Sequence, residues 1–379
     1  MTSSSAVWEE RRRAFAIFAD GCLAPHAAAA DRSGRLPDSV IDSLRHAGFL
    51  GSPLPTGCGG GGLDPPTYGL LTAEIARACS SCRTLMTVHD MVAATLLRWG
   101  SAQLKADVLP ELAAGRLLGA FALSEMSAGS NSGAIQTIAR REGDELVLTG
   151  AKAWTSFGLI ADLFLVFATI PAEGAAALLV PADTPGLSKV PVPDMAGTRA
   201  AMMAHLELDE CRIPAAALVG RPGFGLSHVA QTALDHGRYS VAWGAVGIAD
   251  AALDAAVRYS RERSAFGGVL ADRPAVRASL VRMAAGARSA RLMCMDAGRA
   301  RVAQAQDSIT RTMLAKYFSS KAAVDCANAA VQLHGARGLL TGSVPERLLR
   351  DSKVTEIIEG PSELLEDIIG RELGTGARV

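Results

Sequence analysis

The order in which helical and strand-like periodicities follow one another along these 379 residues constrains the fold more than any single motif. Residues 6–118 read as helices. Val7 to Leu23 is a long Ala- and Arg-rich segment, and Pro37 to Ala47 places Val40, Ile41, Leu44 and Ala47 near one face at helical spacing. Tyr68–Cys79 and Met91–Trp99 continue the pattern, and Pro110 to Gly115 reads as a short helix with a breaker. From about residue 120 the runs shorten: Phe121–Glu125, Leu146–Thr149, Leu163–Ala168, Ala177–Val180 and His205–Leu208, separated by Gly, Asp and Pro turns. From Gly225 the pattern is helical again, over Leu226–Arg261, Pro274–Ala303, Asp307–Leu333 and Pro361–Leu373. There is no βαβα alternation, which argues against a Rossmann domain. The expected fold is mainly α with a central β-domain: an N-terminal helical domain (1–119), a middle β-barrel or sandwich (120–224) and a C-terminal antiparallel bundle (225–379).

Within the last segment, Glu356-Ile357-Ile358-Glu359-Gly360-Pro361-Ser362-Glu363 places a carboxylate after two β-branched residues and before Gly and Pro. Gly360 permits backbone conformations that other residues resist, and Pro361 fixes φ and removes a donor. Ser362 then reads as a fresh helix start. Glu359 is therefore expected on a tight turn between two helices with apolar neighbours. Such a setting suits either a general base or an ordinary acid at a helix end.

Bulk properties narrow the function classes. Hydrophobic residues are 49% and charged residues 20%, so a sizeable core is expected. Lys+Arg and Asp+Glu are both 38, so neither nucleic acid nor an anionic membrane is an expected partner. No apolar run is read as long enough to span a bilayer. Seven scattered cysteines fit a reducing cytoplasm. Cys79 and Cys82 have C-x-x-C spacing but lack a second pair or a His cluster, so no metal site is expected. The glycines over 57–62 lack a preceding strand and a dinucleotide spacing, and read as a flexible turn.

Four stretches, in order, resemble the acyl-CoA dehydrogenase family across nearly the whole chain. Phe121-Ala122-Leu123-Ser124-Glu125 with Gly129-Ser130-Asn131 is similar to the family's A-x-T-E-P-x-A-G-S-D. Gly143-Asp144 through Gly150, Lys152 and Trp154-Thr155-Ser156 is similar to G-D-x-Y-x-L-N-G-x-K-x-W-I-T. Arg263 through Phe266-Gly267 is similar to R-x-x-F-G. Gln332 through Gly335 and Gly338, then Arg350-Asp351 and Glu359-Gly360, is similar to the Q-x-x-G-G-x-G, R-D and E-G elements.

The resemblance implies a three-domain architecture ending in a four-helix bundle, with FAD between the β-domain and the bundle and in contact with a neighbouring subunit of a homotetramer or homodimer. It implies α,β-dehydrogenation of an acyl thioester carried by CoA or by an acyl carrier protein. Electrons pass on to an electron-transfer flavoprotein or another acceptor. By position, Glu359 is the base for the α-proton, and the β-hydrogen leaves as hydride to flavin N5. Phe121, Leu123, Ser124, Gly129 and Ser130 lie along the flavin, with Trp154 and Ser156 opposite and Pro361 nearby. Arg263, Gln332 and Gly335 meet the ADP part across the subunit interface, where a guanidinium fork suits phosphate oxygens, and Phe266 stacks near the flavin or the adenine. Ser130, Asp235, Arg238 and Gly360 surround the thioester, Asp235 and Arg238 sharing a helix face.

Several positions depart from the family pattern: Met126 for Pro, Asn131 for Asp, Ala336 for Gly, Pro274 for Gln and Pro361 for Thr. Arg238 to Gly244 and Lys353 to Gly360 look more like dehydrogenases encoded with polyketide or peptide synthases. Some of those members oxidise extender units on carrier proteins. A flavin monooxygenase or oxidase on the same fold is the alternative, though monooxygenases of this architecture generally lack the loop Glu.

Overall fold

The computed structural model describes residues 2–265 and 267–374. Six helices come first: α1 (Thr2–Phe18), α2 (Ala24–Ser33), α3 (Asp38–His46), α4 (Pro65–Ala78), α5 (Ser80–Trp99) and α6 (Ala102–Ala113). A π-turn over Ala19–Leu23 separates α1 from α2. Helix α5 begins eleven residues earlier than the periodicity indicated: every residue from Ser80 to Ala93 is buried, the polar ones included, so burial does not follow hydrophobicity here. Pro110 lies inside α6 rather than breaking it, one turn from the end. The 57–62 segment is a turn, closed by backbone hydrogen bonds: Gly62 N–H donates to Leu54 O at 2.8 Å and Leu63 N–H to Ser52 O at 3.0 Å.

The middle of the chain forms one eight-stranded sheet: β1 (Gly119–Ala122), β2 (Ile138–Glu142), β3 (Glu145–Thr155), β4 (Leu163–Ile170), β5 (Gly174–Pro181), β6 (Leu187–Pro191), β7 (Ala204–Pro214) and β8 (Leu218–Val219). Strands run in the order β6-β7-β3-β2-β4-β5-β8, with β1 added in parallel beside β4. Strands β2 and β6 escaped the sequence reading because their residues are mostly exposed and lack alternation. Strand β4 is buried on both faces. Leu163, Leu165 and Phe167 pack with Val92 and Leu96 of α5, while Phe164 and Val166 pack with Leu178, Leu206 and Ile213 of the sheet. The β-domain is thereby welded to α5, which later proves to carry one wall of the site.

Among the described residues five helices follow: α7 (Gln231–Glu262), α8 (Pro274–Val302), α9 (Ser308–His334), α10 (Val344–Ile357) and α11 (Ser362–Gly374). Helix α7 is the axis, packing on α4, α5, α8, α9 and α10. The segment Gly225–Glu262 is long and apolar enough to cross a membrane, contrary to the sequence reading, but 72% of its apolar window is buried inside the fold. It is apolar all round because helices surround it. Pro274 occupies the first position of α8, where its missing N–H has no helical partner to lose.

Candidate active site

Glu359 stands between α10 and α11 in a left-handed conformation, φ 57°, followed by Gly360 at φ 95°. A non-glycine residue held there is strained, and such strain persists only where surroundings impose it. Two buried cations impose it. Arg238 of α7 donates from Nε to the Glu359 carbonyl at 3.1 Å, and Lys316 of α9 donates from Nζ to Gly360 O at 2.7 Å and Glu356 O at 3.3 Å. Pro361 has no N–H to offer, but its carbonyl starts α11 by accepting from Leu364 and Leu365.

The Glu359 carboxylate turns inward, and Oε2 is buried with no hydrogen-bond partner. Burial pushes its pKa up to about 7, against the opposing pull of Arg238, Lys316 and Arg83. A carboxylate near 7 accepts a proton at neutral pH without being spent on solvent protons.

The loop closes one side of a cavity of about 360 Å³. The β-domain supplies the opposite side through Phe121, Leu123, Ser124, Trp154 and Ser156, with Gly129 and Ser130 at its edge. Trp154 sits in a register shift between β3 and β7, at φ 59°. That irregularity turns a residue of a paired strand toward the cavity. Its ring packs edge-on against His205 at 5.0 Å. Behind this wall, Glu125 and Lys152 pair at 2.7 Å with side chains 6% and 0% exposed. Glu125 also accepts from the backbone of Gln136 and Thr137, so it pins the 125–137 loop to β3.

A third wall comes from α5, through Arg83, Thr84, Thr87 and Val88. Sequence reasoning missed it. The signal was present: Arg83 with Thr84, Thr87 and Val88 at adjacent helical positions. Lys316 and Gly237, which act on Glu359 from behind, left no such mark.

The cavity thus gathers Arg238, Glu359, Gly360 and Pro361 with the β-domain residues. Asp235 does not join them. It pairs with Arg301 of α8 at 2.8 Å instead of sharing a contact with Arg238, because Arg238 is drawn to the Glu359 carbonyl. Arg263, at the end of α7, and Gln332 and Gly335, at the end of α9, are exposed and line no part of this cavity. Phe266 lies outside the described residues. A larger cleft of about 630 Å³ lies between α1, α4, α7 and α8, but most of its acids and bases pair with one another: Arg12 with Glu9 and Glu74, Arg77 with Glu74 and Asp20, Arg291 with Asp250.

Family models for the N-terminal, middle and C-terminal domains of acyl-CoA dehydrogenases match residues 8–116, 120–211 and 225–374. The chain belongs to the acyl-CoA dehydrogenase family. It is 38% identical over 362 residues to the mitochondrial short-chain specific acyl-CoA dehydrogenase of Mus musculus, covering 94% of this chain and 87% of that one. Among solved structures it is similar to FkbI, for biosynthesis of the methoxymalonyl extender unit of the polyketide FK520 (TM-score 0.89, 35% identity, 96% and 99% of the two chains). It is also similar to the prolyl acyl carrier protein oxidase AnaB (TM-score 0.90, 27% identity, 99% and 100%).

Acyl-CoA dehydrogenases are FAD-dependent oxidoreductases acting on CH–CH bonds, and FAD is the cofactor of this chain. The residues present fit it. The β-domain wall offers apolar surface from Phe121, Leu123 and Trp154 for a flat ring, and the Ser124 and Ser156 hydroxyls for its polar edge. At Gly129 no atom stands within 4 Å of where a Cβ would be, so this edge is open to an extended group.

Proposed function

We propose that the chain is an FAD-dependent dehydrogenase of an acyl thioester, in which Glu359 abstracts the α-proton. The single observation behind this is the buried, unpartnered Glu359 Oε2, held on a strained loop facing the flavin wall. FAD, when bound, supplies the acceptor for the hydride leaving the β-carbon. The α C–H electron pair and the vacated β-position then form the double bond, and the proton rests on Glu359. Among the described residues the Glu359 N–H donates to no group of the chain, so it is free to hold the thioester carbonyl oxygen as negative charge develops there. Phe121, Leu123, Ser124, Trp154 and Ser156 hold the flavin ring. Ser130, Arg238 and Gly360 lie at the thioester, and Asp235 acts only at one remove. Arg263, Gln332 and Gly335 stand away from the cavity, which suits the ADP portion of a neighbouring subunit's FAD in a homotetramer or homodimer.

The reading extends to a biosynthetic role: the thioester is a functionalised extender unit on an acyl carrier protein. The likeness to FkbI and AnaB supports this, as do Met126 and Pro361 at positions where the family pattern differs. Seven free cysteines accord with the cytoplasm. The electron acceptor is an electron-transfer flavoprotein. Because AnaB is an oxidase, molecular oxygen is the second candidate for that role.

Anaerobic mixing of the holoenzyme with acyl-CoA and acyl carrier protein thioesters tests the proposal. Flavin bleaching without oxygen is expected. Glu359→Gln should keep its flavin and bleach about 10³-fold more slowly. Bleaching at the original rate in that variant would place the base elsewhere. Rapid recolouring in air, without added acceptor, would favour the oxidase.

A further inference from the structure

Asp351 of α10 is a buried carboxylate that lines no part of the cavity. It is 3% exposed, and its Oδ1 accepts from the backbone N–H of Thr198 at 2.6 Å, 153 residues away along the chain. Burial pushes its pKa up to about 6, against the pull of that N–H, Arg347 and Arg350, which leaves it largely ionised at neutral pH. Arg350 grips the same loop, donating from Nη1 to Ala196 O at 2.9 Å, and is itself paired with Asp31 and Glu346. Between these two holds, Gly197 lies on the α10 backbone: a Cβ there would stand 2.3 Å from Arg350 O.

The loop so held leads to the flavin wall. Thr198 O accepts from Ala201 N–H at 2.8 Å, and Ala201 O accepts from Phe157 N–H at 2.6 Å. Next to it, Met202 O accepts from Leu159 N–H at 3.2 Å. Ser156, which lines the cavity with Trp154, immediately precedes Phe157. Four non-glycine residues on this path are left-handed: Trp154 (φ 59°), Phe157 (φ 57°), Thr198 (φ 47°) and Met202 (φ 40°). That backbone is unfavourable, for β-branched Thr198 above all, and persists only where the surroundings over-determine it. A charged acceptor on the Thr198 N–H makes the stronger kind of hydrogen bond. Asp351 also stands about two helical turns before Glu359. One helix thus leads into the base and, from its side, latches the opposite wall.

We propose that Asp351 is a positioning residue for the flavin: acting through Thr198, Ala201 and Phe157, it fixes where Ser156 and Trp154 stand relative to Glu359. The inference rests on the reading of Ser156 and Trp154 as the flavin wall, and goes beyond it to a residue outside the cavity.

The test uses the holoenzyme of the parent, Asp351→Ala and Asp351→Asn. The visible absorbance of the bound flavin is recorded first, then the anaerobic bleaching rate against acyl-thioester concentration. Asp351→Ala should displace the flavin bands while flavin content per subunit stays close to the parent's. Its limiting bleaching rate should fall about 100-fold, the scale of a misplacement of about 1 Å. Half-saturation by the thioester should stay within about 3-fold, because the latch acts on the reacting geometry and not on ground-state binding. Asp351→Asn keeps an acceptor without the charge and should slow bleaching only about 5-fold, since a charge-assisted hydrogen bond is roughly twice as strong as a neutral one. A lower melting temperature in Asp351→Ala with parent-like bands and limiting rate would make Asp351 a packing residue and overturn the proposal. A loss confined to half-saturation would overturn it too. Should Asp351→Ala fail to fold or to hold flavin, Asp351→Asn decides: displaced bands with slower bleaching support the latch, and parent-like bands and rate sink it. The bands need no thioester, so the two readings fail separately. A parent bleached by no thioester sinks the dehydrogenase reading, and displaced bands in Asp351→Ala still uphold the latch. A parent that bleaches, beside an Asp351→Ala with unmoved bands, sinks the latch alone.

Discussion

The Glu359 carboxylate is packed against the backbone of Gly237: a Cβ at position 237 would stand 2.5 Å from Glu359 Oε2 and 2.6 Å from its Cδ. Gly237 lies within α7, one residue before the Arg238 that holds the Glu359 carbonyl. A single turn of α7 therefore places both the backbone and the side chain of the base.

Gly237→Ala should displace the base while sparing the fold. The position is helical, and alanine is the better helix former by about 1 kcal/mol. Flavin content and melting temperature are expected to stay close to the parent's. Anaerobic bleaching should slow about 100-fold, the scale of a misplacement of about 1 Å. An unchanged bleaching rate in a folded, flavin-loaded variant would show that the carboxylate works from another position.

The raised pKa of Glu359 sets the sign of the pH dependence. The base acts as carboxylate, so the bleaching rate should rise with pH through about 7 and level off above it. Lys316 holds that pKa down by its charge. In Lys316→Met the rising limb should move to higher pH, with a lower plateau because the carbonyls of Glu356 and Gly360 lose their donor. A lower plateau with an unmoved limb would make Lys316 a support for the loop and nothing more.

Lys152→Met leaves Glu125 as a buried carboxylate without its cation. Breaking such a pair is expected to cost about 3–5 kcal/mol, read as a shift in the urea unfolding midpoint. Adding Glu125→Leu should recover only part, since Glu125 also satisfies the backbone of Gln136 and Thr137. A shift below 1 kcal/mol in the single variant would mean the pair is not buried in solution.

Arg263→Ala should retain less flavin after dialysis, with the fold unchanged. Arg263 is exposed within the single chain and its side chain has no partner there among the described residues, so its removal has little to disturb except a bound group. Equal flavin absorbance per subunit in parent and variant would remove Arg263 from the cofactor site.

Much of this was legible in the residue order. The helix–strand–helix sequence follows from periodicity, and the Glu359 turn follows from a β-branched pair meeting Gly and Pro. What escaped were elements without contrast. The first part of helix α5 is buried on all sides, polar residues included, so a hydrophobic stripe does not announce its start. Strands β2 and β6 are exposed, so no apolar face marks them. Helical spacing put Asp235 and Arg238 on one helix face, and tertiary packing gave them separate partners, Arg301 and the Glu359 carbonyl.

By itself the chain's sequence determined local things: which segments coil, where turns must fall, and that a carboxylate occupies one of those turns. Those outcomes depend on neighbours within a few residues. Only the tertiary structure decided that Glu359 is buried, that its oxygen has no partner, and that Arg83, Arg238 and Lys316 converge on it from α5, α7 and α9. Those cations lie 276, 121 and 43 residues away along the chain. Electrostatics in a dry interior acts through space, so the proton affinity of the base is settled by packing and not by the residues beside it in sequence.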